Sequence, residues 1–79
     1  MKNFDALNIA NHWDAGESGC GQLIVGLKRQ ISHIDSGALL EVTAHGAGAS
    51  ADLPAWCRVT GHTLLVAEHP RYVFRKKES

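Results

Sequence analysis

Apolar residues recur at helical spacing in one long stretch of the chain. This spacing predicts an amphipathic helix over about residues 20–34. A glycine-rich loop over residues 15–19 precedes the helix, and Ser18 in that loop can cap it. Gly37, whose backbone is unusually free, predicts that this helix ends just before it. The apolar face of this helix is formed by Leu23, Ile24, Leu27, Ile31 and Ile34.

A second, shorter helix is predicted over about residues 53–60, after a loose, glycine-containing stretch over residues 45–51. Asp52 can cap this helix. Pro54 suits its first turn, because the missing N–H of proline does little harm there. Its apolar side is formed by Leu53, Trp56 and Val59.

Apolar and polar residues alternate in four other stretches, as expected for strands that bury one side. These predicted strands cover about residues 8–14, 38–44, 63–68 and 72–76. In the second strand Leu40, Val42 and Ala44 share a side, and in the third Leu64 and Val66 do. A tight turn separates the last two strands, which predicts that they are antiparallel.

The element order β-α-β-α-β-β predicts an α/β (α+β) two-layer sandwich, with a four-stranded mixed sheet and both helices on one face. We expect a single domain over residues 1–79, with residues 1–7 and 77–79 loose. Right-handed crossovers would bring the helix N-termini to one edge of the sheet. Cys20, the 45–51 loop and the start of the second helix would then converge there, where ligands of α/β sheets tend to bind.

Composition and charge narrow the classes of function. The net charge is zero and 44% of the residues are hydrophobic. A balanced charge argues against direct nucleic-acid binding, which needs a basic surface. No apolar run reaches the ~20 residues of a membrane span, so no membrane partner is expected. The first residues lack the apolar stretch of a signal peptide, so we expect a cytoplasmic location.

Cys20 is the candidate catalytic residue, because a thiol at a helix N-terminus lies near unpaired N–H groups and the positive end of the helix dipole. Both favour the thiolate and predict a pKa below the usual ~8.5. The alternative is that Cys20 is an inert small hydrophobe. Cys57 is interpreted as a core residue or as a possible second thiol. The histidines lack zinc-ligand spacing, so a metal-binding module is a weaker hypothesis. His45 is interpreted as a solvated loop histidine, or as a residue that tunes Cys20 if the two are close.

Asp14 and Cys20 stand six positions apart at the join of the first strand and first helix, and the stretches 36–42 and 52–62 follow. In these features the chain resembles the TusA/SirA family of small sulfur carriers, which opens its motif with Asp-x-Arg-Gly-Leu-x-Cys-Pro-x-Pro. The chain departs from the motif at several positions, which include Gly16 for the arginine, Ser18 for the leucine, and Gly21 and Leu23 for the two prolines.

The resemblance implies a possible sulfurtransferase that relays sulfur through Cys20. A donor protein of the cysteine desulfurase or rhodanese type would supply a sulfane sulfur, Cys20 would hold it as a persulfide, and an acceptor protein would take it. No metal or organic cofactor is implied. A non-catalytic protein-interaction or regulatory module on the same fold is the alternative hypothesis.

Overall fold

The computed structural model describes residues 9–17 and 19–78, with the backbone alone of Cys20. The elements are β1 (Ile9–Gly16), α1 (Cys20–Ile31), β2 (Leu39–Ala44), α2 (Ala49–Thr60), β3 (Thr63–Glu68) and β4 (Arg71–Arg75). They follow the predicted order. The expected looseness of residues 1–7 lies outside the described residues. Neither described helix has the length and apolar character needed to cross a bilayer.

The four strands form one mixed sheet in the order β1-β2-β4-β3. β1 is parallel to β2, whereas β4 is antiparallel to both β2 and β3. Both helices pack on the same face, so the predicted two-layer sandwich is confirmed. β4, one of the two interior strands, is buried at Tyr72, Val73 and Phe74.

The core lies between the helices and the sheet. Leu27 of α1, Leu53 of α2, and Leu40, Val42 and Phe74 of the sheet are fully buried. Burying a leucine or phenylalanine side chain stabilises a fold by roughly 1.5–3 kcal/mol. The helical spacing in α1 and the alternation in β2 therefore predicted the apolar sides of these elements correctly.

α1 ends at Ile31, three residues before the predicted end. The chain then tightens into three-residue turns, in which His33 N–H donates to Gln30 O and Ile34 N–H donates to Ile31 O. Ile34 is nevertheless buried in the core. Its apolar spacing therefore indicated that it packs in the core, and not that the helix continues to it.

α2 begins at Ala49, four residues before the predicted start. The carbonyl of Gly48 accepts the N–H groups of Ala51 and Asp52 at 3.1 and 2.9 Å, which forms one more turn. Asp52 is therefore not the cap but an acidic residue in the first turn, and Pro54 lies inside the helix. The prediction placed the start too late because small residues show no apolar period.

Two apolar positions were assigned to the wrong side. Val59 of α2 is 85% exposed, because the helical rotation of 100° per residue carries it away from the side that Leu53 and Trp56 share. In β3, a bulge lies between Leu64 and Val66. Leu64 consequently pairs with Phe74 and Val66 with Val73, which puts Leu64 and Val66 on opposite faces.

Candidate functional site

The predicted convergence occurs at the edge where β1 and β2 end. Both helices begin at this edge, and a cleft of about 260 Å³ lies between their starts. A hydrogen bond of 2.8 Å from His45 N–H to Gly16 O ties the loop after β2 to the end of β1. The described lining residues are Glu17, Gly19, Leu23, Gly46, Ala47, Gly48, Ala49 and Asp52.

Asp14 shapes the turn that leads from β1 towards α1. Its Oδ1 accepts the N–H of Gly16 at 2.9 Å, and Gly16 adopts φ +62°. This left-handed conformation suits glycine because a Cβ would be strained there. Asp14 therefore stabilises the turn that leads to α1, whose first residue is Cys20.

The start of α1 carries backbone donors without a side-chain cap among the described residues. Gly19 is the extended N-cap residue, and its carbonyl accepts Leu23 N–H at 2.8 Å. The prediction that Ser18 caps this helix lies outside the described residues. α1 has no acidic residue in its first turn, whereas α2 has Asp52. No carboxylate in the first turn of α1 therefore offsets the positive end of its dipole.

Cys57 lies far from this edge. It is the ninth residue of α2, which puts it about 12 Å along the helix from its start. It is 7% exposed, and burial raises the pKa of its thiol to about 11. The structure therefore does not bring Cys57 to the helix starts where Cys20 lies. A disulfide between the two residues would need their Cα atoms within about 7 Å of each other.

The histidines are dispersed over the molecule. His45 is exposed at the cleft edge, whereas His62 lies at the opposite end of α2, with its ring centroid 5.1 Å from that of Trp56. His69, in the turn before β4, has Nδ1 2.6 Å from the Tyr72 hydroxyl. Among the described residues, no three His, Cys, Asp or Glu side chains group as metal ligands would.

A cluster on the helix-free face of the sheet was missed by sequence reasoning. Glu41 of β2 is 8% exposed and binds His12 of β1 and Arg71 beside it on β4. Burial raises the pKa of Glu41, but hydrogen bonds from Arg71 and His12 outweigh burial and hold it below its ordinary value. A glutamate at an alternating strand position looks solvent-facing, and only strand pairing shows its partners.

Comparison with known proteins gives consistent matches. Residues 13–76 match the sequence model of a family described as sulfurtransferase TusA. The chain is 42% identical over 52 residues to YrkI of Bacillus subtilis, a match that covers 66% of this chain and 69% of YrkI. It is 38% identical over 55 residues to NMA0882 of Neisseria meningitidis, over 70% and 74% of the two chains.

YrkF of Bacillus subtilis is a longer relative. The chain is 36% identical to it over 62 residues, which cover 78% of this chain but 34% of YrkF. The match thus spans about a third of YrkF. YrkI, NMA0882 and YrkF are all named as candidate sulfur carrier proteins.

Proposed function

The chain belongs to the TusA family, and from this membership we propose that it is a sulfur carrier that holds sulfane sulfur as a persulfide on Cys20. The family match and the names of its relatives support the carrier role. The persulfide and its position on Cys20 are the finer part of the proposal, and they rest on the chemistry of the site.

The observation that carries the proposal is the position of Cys20 as the first residue of α1. The first-turn N–H groups and the helix dipole stabilise a negative charge at this point. Both a thiolate and a persulfide anion gain from that field, so the same backbone favours uptake and storage of sulfur. α1 has no carboxylate in its first turn that would compete for these N–H groups.

The proposed transfer needs no outside oxidant or reductant. The Cys20 thiolate attacks the outer sulfur of a donor persulfide, a new S–S bond forms on Cys20, and the donor's own S–S bond breaks. The donor cysteine leaves as a thiolate and takes up a proton. Delivery repeats the exchange in the other direction, when an acceptor nucleophile attacks the outer sulfur and Cys20 leaves as thiolate.

The shape of the edge supports protein partners. The cleft is small and lies between two loops at the surface, which suits the approach of a cysteine-bearing loop from another protein. We propose a donor of the cysteine desulfurase or rhodanese type and a protein acceptor. The net charge of zero favours protein partners over direct contact with nucleic acid.

Intact mass spectrometry tests the proposal. The protein is incubated with a rhodanese and thiosulfate, or with a cysteine desulfurase and cysteine, and then with dithiothreitol. We expect a gain of one sulfur atom that the reductant removes. Cys20→Ser should abolish the gain, whereas the matched variant Cys57→Ala should retain it.

Two outcomes contradict the proposal. A folded wild-type protein that gains no sulfur from either donor would leave the alternative, a non-catalytic interaction or regulatory module on this fold. Equal gain by Cys20→Ser and wild type would move the sulfur to another residue. Circular dichroism of each variant checks that a lost signal does not come from unfolding.

A further inference from the structure

A groove lies at the end of the molecule opposite the cleft, where both helices end. Its volume is about 380 Å³. We call it the basic groove; its described lining residues are Lys28, Ile31, Ser32, Trp56, Val59, Thr60, His62, Lys76 and Lys77. Lys28 lies about 12 Å along α1 from Cys20, and Ile31 at the helix end lies about 16 Å from it, so the groove is separate from the proposed sulfur site.

The floor of the basic groove is apolar and firmly held. Trp56 packs edge-on against Phe74 with ring centroids 5.7 Å apart, and its other neighbour is the His62 ring. Val59 is 85% exposed beside this floor. Trp56 itself is only 8% exposed, so Val59 supplies most of the apolar area that a partner side chain can cover beside the ring.

The charge of the basic groove has one sign. Three lysines line it, and none of its described lining residues is acidic. No ion pair among the described residues includes a groove lysine; Lys76 instead donates to the carbonyl of Ile34 at 2.8 Å. Burial, together with the charges of Lys77 and Lys76, lowers the pKa of His62, which agrees with a positive potential there.

We propose that the basic groove docks an acidic segment of a partner protein, with one aliphatic side chain seated on Trp56 and Val59. Charge complementarity argues for this occupant, because the chain is neutral overall yet gathers three of its eight Lys and Arg residues here. The apolar floor also favours a partner with an aliphatic side chain, which a simple polyanion lacks. Docking here leaves the edge with Cys20 open, and it does not depend on the persulfide.

The probe is a fluorescein-labelled synthetic peptide with four glutamates around one leucine, titrated at low salt and followed by polarisation. Two control peptides carry glutamine for each glutamate or serine for the leucine. On ¹⁵N-labelled protein, NMR reports the indole N–H of Trp56 separately from that of Trp13. We expect the acidic peptide to bind and to shift Trp56, with both control peptides weaker.

The protein variants alter exposed side chains, so they should keep the fold. Each lost lysine contact should weaken binding by up to about fivefold, as exposed charge pairs do, so Lys28→Gln with Lys77→Gln should weaken it by more than either variant alone. Val59→Ser should weaken binding of the leucine peptide and not of the serine peptide. Arg58→Gln removes a neighbouring cation outside the groove and serves as the matched control.

Several results would overturn the proposal. One is a double lysine variant, folded by circular dichroism, that binds like Arg58→Gln. Another is equal binding of the serine and leucine peptides, since this would mean that charge is the sole determinant of binding. A DNA oligonucleotide that shifts Trp56 as strongly as the peptide would assign the groove to nucleic acid. Concentration-dependent dimerisation that the Val59→Ser variant abolishes would assign it to a second copy of the chain.

Discussion

Gly26 in the middle of α1 makes room for the indole ring of Trp13 on β1. A Cβ at position 26 would lie 2.5 Å from Cζ2 of Trp13 and closer still to Cη2. Gly21, one residue after Cys20 in the same helix, has no heavy atom within 4 Å of the corresponding position. Replacing each glycine with alanine therefore separates helix propensity from the contact with Trp13.

The two substitutions should have different effects on the free energy of unfolding. Alanine gains about 1 kcal/mol over glycine inside a helix, which Gly21→Ala should realise in large part. At Gly26 the ring or the helix must move, and overpacking of this kind costs about 1–3 kcal/mol. Gly26→Ala should therefore be neutral to about 2 kcal/mol destabilising, and the two variants should differ by about 1–3 kcal/mol.

Urea unfolding followed by far-UV circular dichroism measures these differences. A loss of 1 kcal/mol should lower the melting temperature by roughly 4–8 °C in a domain of this size. In a Trp13→Phe background the six-membered ring of the indole is gone, so Gly26→Ala should become as favourable as Gly21→Ala. The reasoning is refuted if Gly26→Ala stabilises the wild-type protein as much as Gly21→Ala does.

Two further predictions concern ionisable groups. At pH 7 the Cys57 thiol, with a pKa of about 11, is about one part in ten thousand thiolate. Iodoacetamide should therefore label Cys20 quickly and Cys57 only after unfolding. Equal labelling of both cysteines in the folded protein, measured by peptide mass mapping, would contradict this prediction. Because the folded pKa of Glu41 lies below its ordinary value of 4.5, its contribution to stability is present above that value and is lost as the pH falls through the folded pKa. Glu41→Gln should lose about 1–3 kcal/mol at pH 7, with a smaller loss near pH 3, and a loss that is the same at both pH values in urea titrations would contradict the ion-pair account.

Local patterns were sufficient to predict the element order. The helical spacing in α1 and the alternation in β2 are dictated by burial on one side, so each can be read without knowing its neighbours. The start of α2 could not be read this way. Its first turn consists of small residues held by the carbonyl of Gly48, and Pro54 favoured a later start.

The remaining features depend on residues that are distant in sequence. Glu41 is buried because β1 and β4 bring His12 and Arg71 to its two sides, and the order of strands in the sheet decides that pairing. The exposure of Val59 depends on how wide a side of α2 is covered, because Val59 is rotated away from the side that Leu53 and Trp56 share. The convergence of loops at the Cys20 edge was predictable, because handed crossovers fix where the helix starts lie.

The position of β1 at the edge of the sheet affects how the proposed site could open. Among the described strands, β2 alone pairs with β1, whereas β4 is paired on both sides. A strand held on one side detaches at a lower free energy than the strands beside it. Detachment of β1 would separate the start of α1 from the loop after β2 without melting the rest of the sheet. If β1 detaches in this way, a partner bound at the edge should slow amide exchange in β1 more than in β4.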